Sequence, residues 1–144
     1  MKGRVLLVLM TMMLTGIAQA DVSPKQQPEV EHLLLFVKNS PCRVNRNGSF
    51  HQGDEAAAHI RKKYDHFKKK IKTTEQFIEY SASKSTMSKK YYTVLCDGQK
   101  PIRTRDWLLQ ELATYREQQE KSGPQQASES NQRQGIASRQ SHNP

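Results

Sequence analysis

The sequence predicts an α+β fold: four helices packed on a small antiparallel sheet of about three strands, pinned by one disulfide. Three observations lead to it. Apolar residues recur at helical spacing in four separate stretches, around 29–39, 54–70, 74–83 and 105–118. A hairpin signal at Asn47-Gly48 and a β-prone run at Tyr91–Cys96 supply the strands. Finally, the chain has two cysteines, Cys42 and Cys96, and both lie beyond an N-terminal export signal.

That signal comes first. Lys2 and Arg4 precede an apolar run, Val5 to Leu14, which ends at Ala18-Gln19-Ala20. A basic start, a short apolar stretch and a small-x-small site describe a cleavable secretory signal peptide over 1–20. The run is too short for a spanning helix, which needs about 20 apolar residues, and Thr11, Thr15 and Gly16 interrupt it. Cleavage after Ala20 leaves 124 residues, enough for one domain. The net charge falls only from +9 to +7, because Lys2 and Arg4 are the charges lost.

Residues 21–28 contain Pro24 and Pro28 and are expected to form a flexible lead-in. A single domain is expected over 29–118. Val30, Leu33, Leu34 and Val37 share one face of a first helix, which Asn39-Ser40-Pro41 stops because Pro41 cannot donate and restricts Ser40. Strands follow at about Cys42–Arg46 and Ser49–His51, joined by Asn47-Gly48, both tolerant of the positive φ of a type I′ turn. Val44 and Phe50 are their expected core residues. A long helix over about Asp54–Lys70 buries Ala57, Ile60, Tyr64, Phe67 and Ile71 and turns Arg61, Lys62, Lys63, Lys68, Lys69, Lys70 and Lys72 outward. Acids at its start and lysines at its end both suit the helix dipole.

Thr73, with Gln76 three residues on, caps a shorter helix over Thr74–Ser83, with Phe77 and Ile78 inward. Ser83–Ser88 is a loop, and aromatic and β-branched residues make Tyr91–Cys96 the third strand. Thr104 caps a last helix over Arg105–Gln118 whose inner arc is Trp107, Leu108, Leu112 and Tyr115. Residues 119–144 are rich in Gln, Ser and Asn, carry one large aliphatic residue, Ile136, and are expected to be a disordered polar tail.

An exported chain with an even cysteine count most often pairs its thiols. Joining Cys42 to Cys96 closes a loop worth about 4 kcal/mol on the chain-entropy account.

Several blocks together resemble a known family. They are Cys42 to Gly48, Glu55 to Tyr64, Ile71 to Ile78, Ser81 to Ser85 and Trp107 to Leu112. Their order and spacing are similar to those of the YfeK-like family of small exported bacterial proteins, a domain of unknown function found mostly in Gram-negative periplasms. The resemblance spans about Glu29 to Arg116. It departs at Lys89-Lys90-Tyr91-Tyr92, where the family pattern has a Gly-Lys-Pro-Tyr-like entry to the strand. It implies a periplasmic location and brings neither an activity nor catalytic residues.

Candidate chemistry is sparse. His59 and His66 stand seven residues apart on the long helix, whereas helical metal pairs use i, i+3 or i, i+4 spacing; solvated histidines are the expectation, with His51 and His32 able to approach only through the fold. No metal site and no cofactor are expected. Ser81-Ala82-Ser83-Lys84 matches Ser-x-x-Lys, but the companion Ser-Asp-Asn and Lys-Thr-Gly motifs are missing. Glu111 falls within the apolar arc of the last helix and is expected to pair with a basic residue.

The basic run Arg61 to Lys72 is the one feature that points to a partner. It suits an anionic envelope component or an acidic protein. The compartment argues against nucleic acid, and the charged face lacks interleaved aromatics for stacking. Arg61, Lys62 and Lys69 point furthest from the core stripe or along its flank, so they are the candidate contact residues. The leading expectation is a non-enzymatic periplasmic binding or accessory protein. The alternatives are a small envelope enzyme acting on cell-wall or glycan substrate and a periplasmic enzyme inhibitor. The sequence leaves the oligomeric state open.

Overall fold

The computed structural model describes residues 21–139, with side chains in the last helix as far as Ser122. The expected signal peptide over 1–20 lies outside the described residues. The order of elements is α1 (Gln27–Asn39), β1 (Arg43–Arg46), β2 (Ser49–His51), α2 (Gly53–Phe67), α3 (Thr74–Phe77), β3 (Thr93–Leu95), β4 (Ile102–Arg103) and α4 (Thr104–Arg139). A 3-10 turn, Lys68–Lys70, extends α2, and a π-helical turn, Ile78–Ala82, extends α3. The fold is therefore α+β, with one strand more than the sequence suggests. The sheet is antiparallel throughout, in the order β2-β1-β3-β4.

The helices bury most of the stripe their spacing requires, although Phe67, expected in the core, is only partly buried where α2 ends. Val30, Leu33, Leu34 and Val37 of α1, and Ala57, Ile60 and Tyr64 of α2, are all buried. Fully burying one such aliphatic side chain is worth about 1.5–3 kcal/mol. Tyr64 meets Phe77 edge to face with centroids 5.2 Å apart, tying α2 to α3. Leu108 and Leu112 bring α4 into the same core, with Trp107 at its margin against Phe36. Gly53 starts α2 hard against the end of α1: a Cβ there would stand 2.3 Å from the Val37 carbonyl oxygen. Only glycine permits that approach.

The hairpin turns where the sequence places it, with φ of 55° at Asn47 and 92° at Gly48. The two-residue turn also fixes the register, pairing Val44 with His51, Asn45 with Phe50 and Arg46 with Ser49. Side chains alternate between faces, so Val44 and Phe50 cannot share one. Val44 is buried, whereas Phe50 is half exposed on the outer face under the Arg43 guanidinium, 5.2 Å from the ring centroid. The expectation of a core Phe50 is corrected by that register.

Pairing of Arg43 with Leu95 carries the register one step outward to Cys42 and Cys96, which form the disulfide with Cα atoms 4.3 Å apart. The bridge spans a sequence separation of 54 and fastens β1 to the end of β3.

Three further local expectations change. The expected lead-in over 21–28 is anchored at its start, where Val22 is in the core and Asp21 accepts from the Tyr64 hydroxyl at 2.5 Å and pairs with Lys68 at 2.9 Å, while Ser23, Pro24 and Lys25 stay exposed. Thr73 caps α3 as expected, accepting from the Gln76 backbone N–H at 3.2 Å. Thr104 begins α4, but its buried hydroxyl has no partner among the described residues; its backbone N–H instead donates to Tyr92. Finally, α4 continues beyond Gln118 as helical backbone to Arg139. Glu117 to Lys121 are good helix formers, and the Ser122 hydroxyl bonds back to the Gln118 carbonyl.

Candidate functional site

The basic run divides into three groups. Lys68 is held by Asp21, and Arg61 reaches back to Glu31 of α1 at 2.6 Å. The Glu31 hydrogen bond, more than the opposing burial, raises the pKa of Arg61 above its ordinary value. Lys63 turns inward: it is 9% exposed, and its ammonium donates to the Lys84 carbonyl at 2.6 Å. That corrects the expectation of Lys63 on the solvated face. Lys62, Lys69, Lys70 and Lys72 remain exposed, without a carboxylate partner among the described residues. Of the three candidate contact residues, Lys62 and Lys69 are therefore free of ion pairs there, and Arg61 is engaged.

Lys63 borders a hollow of about 510 Å³ where α2 crosses the open end of the sheet. The hairpin register puts Arg46, Ser49 and His51 on the same inner face as Val44. Tyr92, two residues before Val94, joins them from the third strand's approach. On α2, His59 and Lys63 stand one turn apart at i, i+4 and face that surface. The hollow is thus lined by Arg46, Ser49, His51, His59, Lys63 and Tyr92, closed at one side by the 85–87 loop. Among the described residues, no carboxylate lines it.

The electrostatics follow from this crowding. His59 lies 3.2 Å from the Tyr92 hydroxyl, and its pKa is pushed down to about 4 by burial, then by Arg46, Lys63, His51 and Lys62. It is neutral at physiological pH. Lys63 is pushed down to about 8, first by burial and then by Arg46. Its ammonium also sits 5.2 Å from the Tyr92 ring centroid, a favourable cation–π placement. Nη2 of Arg46 is 3.1 and 3.2 Å from the two ring nitrogens of His51, while its Nε is buried without a partner among the described residues. His51 also meets Glu55 at 3.2 Å.

The remaining sequence candidates have structural roles. Glu111 pairs with His32 at 2.7 Å, and His32 stacks on Tyr115. Ser81 is completely buried in the π-helical turn, and Lys84 pairs with Glu79 at 3.5 Å, so Ser-x-x-Lys forms no accessible nucleophile. His66 packs on Phe67, away from His59. Among the described residues, no group of three or more His, Cys, Asp or Glu side chains could hold a metal ion. No helix among them is long and apolar enough to cross a membrane.

The sequence reading missed the hollow. The available signals were the hairpin register, which puts Arg46 and His51 on one face, and the i, i+4 spacing of His59 and Lys63. Neither says where α2 crosses the sheet.

Residues 24–116 match a family of unknown function, DUF5329. A protein of Salmonella typhimurium strain LT2, described as the uncharacterized protein YfeK, is 29% identical over 90 residues, covering 62% of this chain and 75% of the relative. No solved structure matches the chain.

Proposed function

We propose, from the premise that the chain belongs to the DUF5329 family of unknown function, that it is an exported binding or accessory protein whose basic helical face meets an anionic envelope component. The carrying observation is the group Lys62, Lys69, Lys70 and Lys72, exposed on α2 and the turns after it and unmatched by neighbouring carboxylates among the described residues. A disulfide suits an oxidising compartment outside the cytoplasm. Among the described residues, the one histidine–carboxylate pair at the hollow, His51 with Glu55, has its carboxylate on the exposed surface outside the lining, an arrangement that favours binding over acid–base chemistry.

The test is retention on vesicles containing anionic phospholipid. Wild type should bind at low salt and elute as salt rises, because the field is screened over about 8 Å at physiological ionic strength. Lys62→Glu with Lys69→Glu should elute earlier while melting like wild type, since exposed substitutions change stability by about 0.5 kcal/mol or less. Arg61 is left alone because its reversal would also break the Glu31 pair. Co-elution of the variant with wild type would defeat the reading.

A further inference from the structure

We propose that the hollow between the β1–β2 hairpin and α2 is a binding site for a small dianionic oxyanion group of the phosphate type, with Arg46 and Lys63 as its charged ligands. The site is separate from the open lysine face and stands or falls without it. The argument begins with charge. Arg46 and Lys63 line one concavity, and neither has a carboxylate partner among the described residues. The nearby acids are already engaged: Glu55 with His51, and Glu79 with Lys84 and Arg105.

Lys63 is buried and Arg46 half-buried, and a cation as withdrawn from water as Lys63 is ordinarily paired, because burying an unpaired charge is costly. Here two are held together, and the fold bears their mutual repulsion: Arg46 helps lower the pKa of Lys63, and both help hold His59 neutral. A bound dianion would balance the pair. A phosphate group carries about −1.5 to −2 charges near neutral pH, which matches two cations better than one carboxylate does.

The other lining groups fit the same ligand. Ser49, on the inner face beside Arg46, and the Ser85 and Thr86 loop bring hydroxyls to the rim. Arginine offers a planar fork to phosphate oxygens and lysine a point charge. Uncharged His59, bonded to Tyr92, lines the wall without adding a third positive charge. The volume of about 510 Å³ falls within the range of about 300–1,000 Å³ typical of small-molecule sites.

The experiment is titration of the purified protein with inorganic phosphate at constant pH and low ionic strength, followed through the imidazole resonances. Phosphate should shift His51 and His59 saturably and leave His32 and His66 in place. Sulfate should compete, and acetate should not. Arg46→Gln should weaken binding by about ten- to a hundredfold, as loss of a charge-assisted hydrogen bond does. Lys62→Glu with Lys69→Glu should change it far less. Should Arg46→Gln not fold, Lys63→Met is expected to show the same loss. Any of three results overturns the proposal: no saturable shift, equal shifts at His66 and His59, or a folded Arg46→Gln or Lys63→Met protein that titrates like wild type. The last two would assign phosphate to loose attraction by the lysine face.

Discussion

Replacing Lys63 with Met should reveal what it costs the fold to bury that charge. Lys63 gives up its proton at about 8 in the folded protein, against an ordinary value of 10.5. Each pH unit of that difference is worth about 1.4 kcal/mol. The sign follows from proton counts: between the two values the unfolded chain binds more protons, so stability rises with pH. From about pH 7 to about pH 9.5, Lys63 alone should add about 2 kcal/mol, or on the order of 10 °C in melting temperature for a domain of this size. Tyr64 acts in the opposite direction, since burial and the Asp21 hydrogen bond push it up to about 12. Its effect below about pH 9.5 is only a few tenths of a kcal/mol. Both cysteines are in the disulfide, so no free thiol complicates the alkaline measurement. Urea midpoints across this range should rise for wild type and stay nearly flat for Lys63→Met, which keeps the stem over Tyr92 and removes the charge. The variant should also be the more stable of the two at neutral pH. Parallel profiles would mean that Lys63 titrates as an exposed lysine does, and the account of a charge strained by burial and by Arg46 would be wrong.

Other outcomes follow from the same structure. Cys42→Ala with Cys96→Ala, or reduction of wild type, should cost about 2–5 kcal/mol by urea denaturation; equal midpoints would show that the bridge adds nothing. Arg116 donates to Glu29 at 2.7 and 2.9 Å and to Glu75 at 2.7 Å, across α4, α1 and α3. Hydrogen bonds from Arg116 hold Glu29 below the usual carboxylate range, and for Glu75, where burial pushes the other way, a separate Arg116 bond is the main cause of the lowering. Stability from these groups is present above their ordinary values and is lost as pH falls through the lowered ones, so Arg116→Met should flatten the acid limb of the stability profile as well as lower stability at neutral pH. Val22→Ala should destabilise by about 1 kcal/mol if the segment before α1 is part of the core, read as a fall in urea midpoint. A chain ending at Ser122 should melt within a degree or so of the full chain, because residues 123–144 carry a single large aliphatic residue, Ile136, with which to add to the core; a large drop would mean that the segment docks.

The elements with strong local signals were legible without a structure. The buried stripe of α1, the turn at Asn47-Gly48, the Thr73 cap and the Cys42–Cys96 pair each rest on spacing or on one residue's backbone preference. Such signals act over four or five residues, or through a covalent bond between the only two partners available. The same reasoning carried as far as the basic helix and the pairing of Glu111, though not to its partner His32, which is 79 positions away.

Where a local rule met a competing long-range contact, only the tertiary structure decided. Phe50 has the composition of a core residue, yet hairpin register sends it to the outer face. Lys63 reads as one more lysine in a basic run, yet the crossing of α2 over the sheet's inner face buries it beside Arg46. Val22 lies two residues past the predicted cleavage site and two before Pro24, yet the core accepts it. The sequence by itself determined where the four helices and three of the four strands begin, and that two cysteines join them; β4, two residues long, left no such signal. Where those segments cross, and so which charges are left facing each other in one hollow, was settled by packing, because helix position on a sheet depends on the fit of many side chains at once and leaves no periodic trace in the chain.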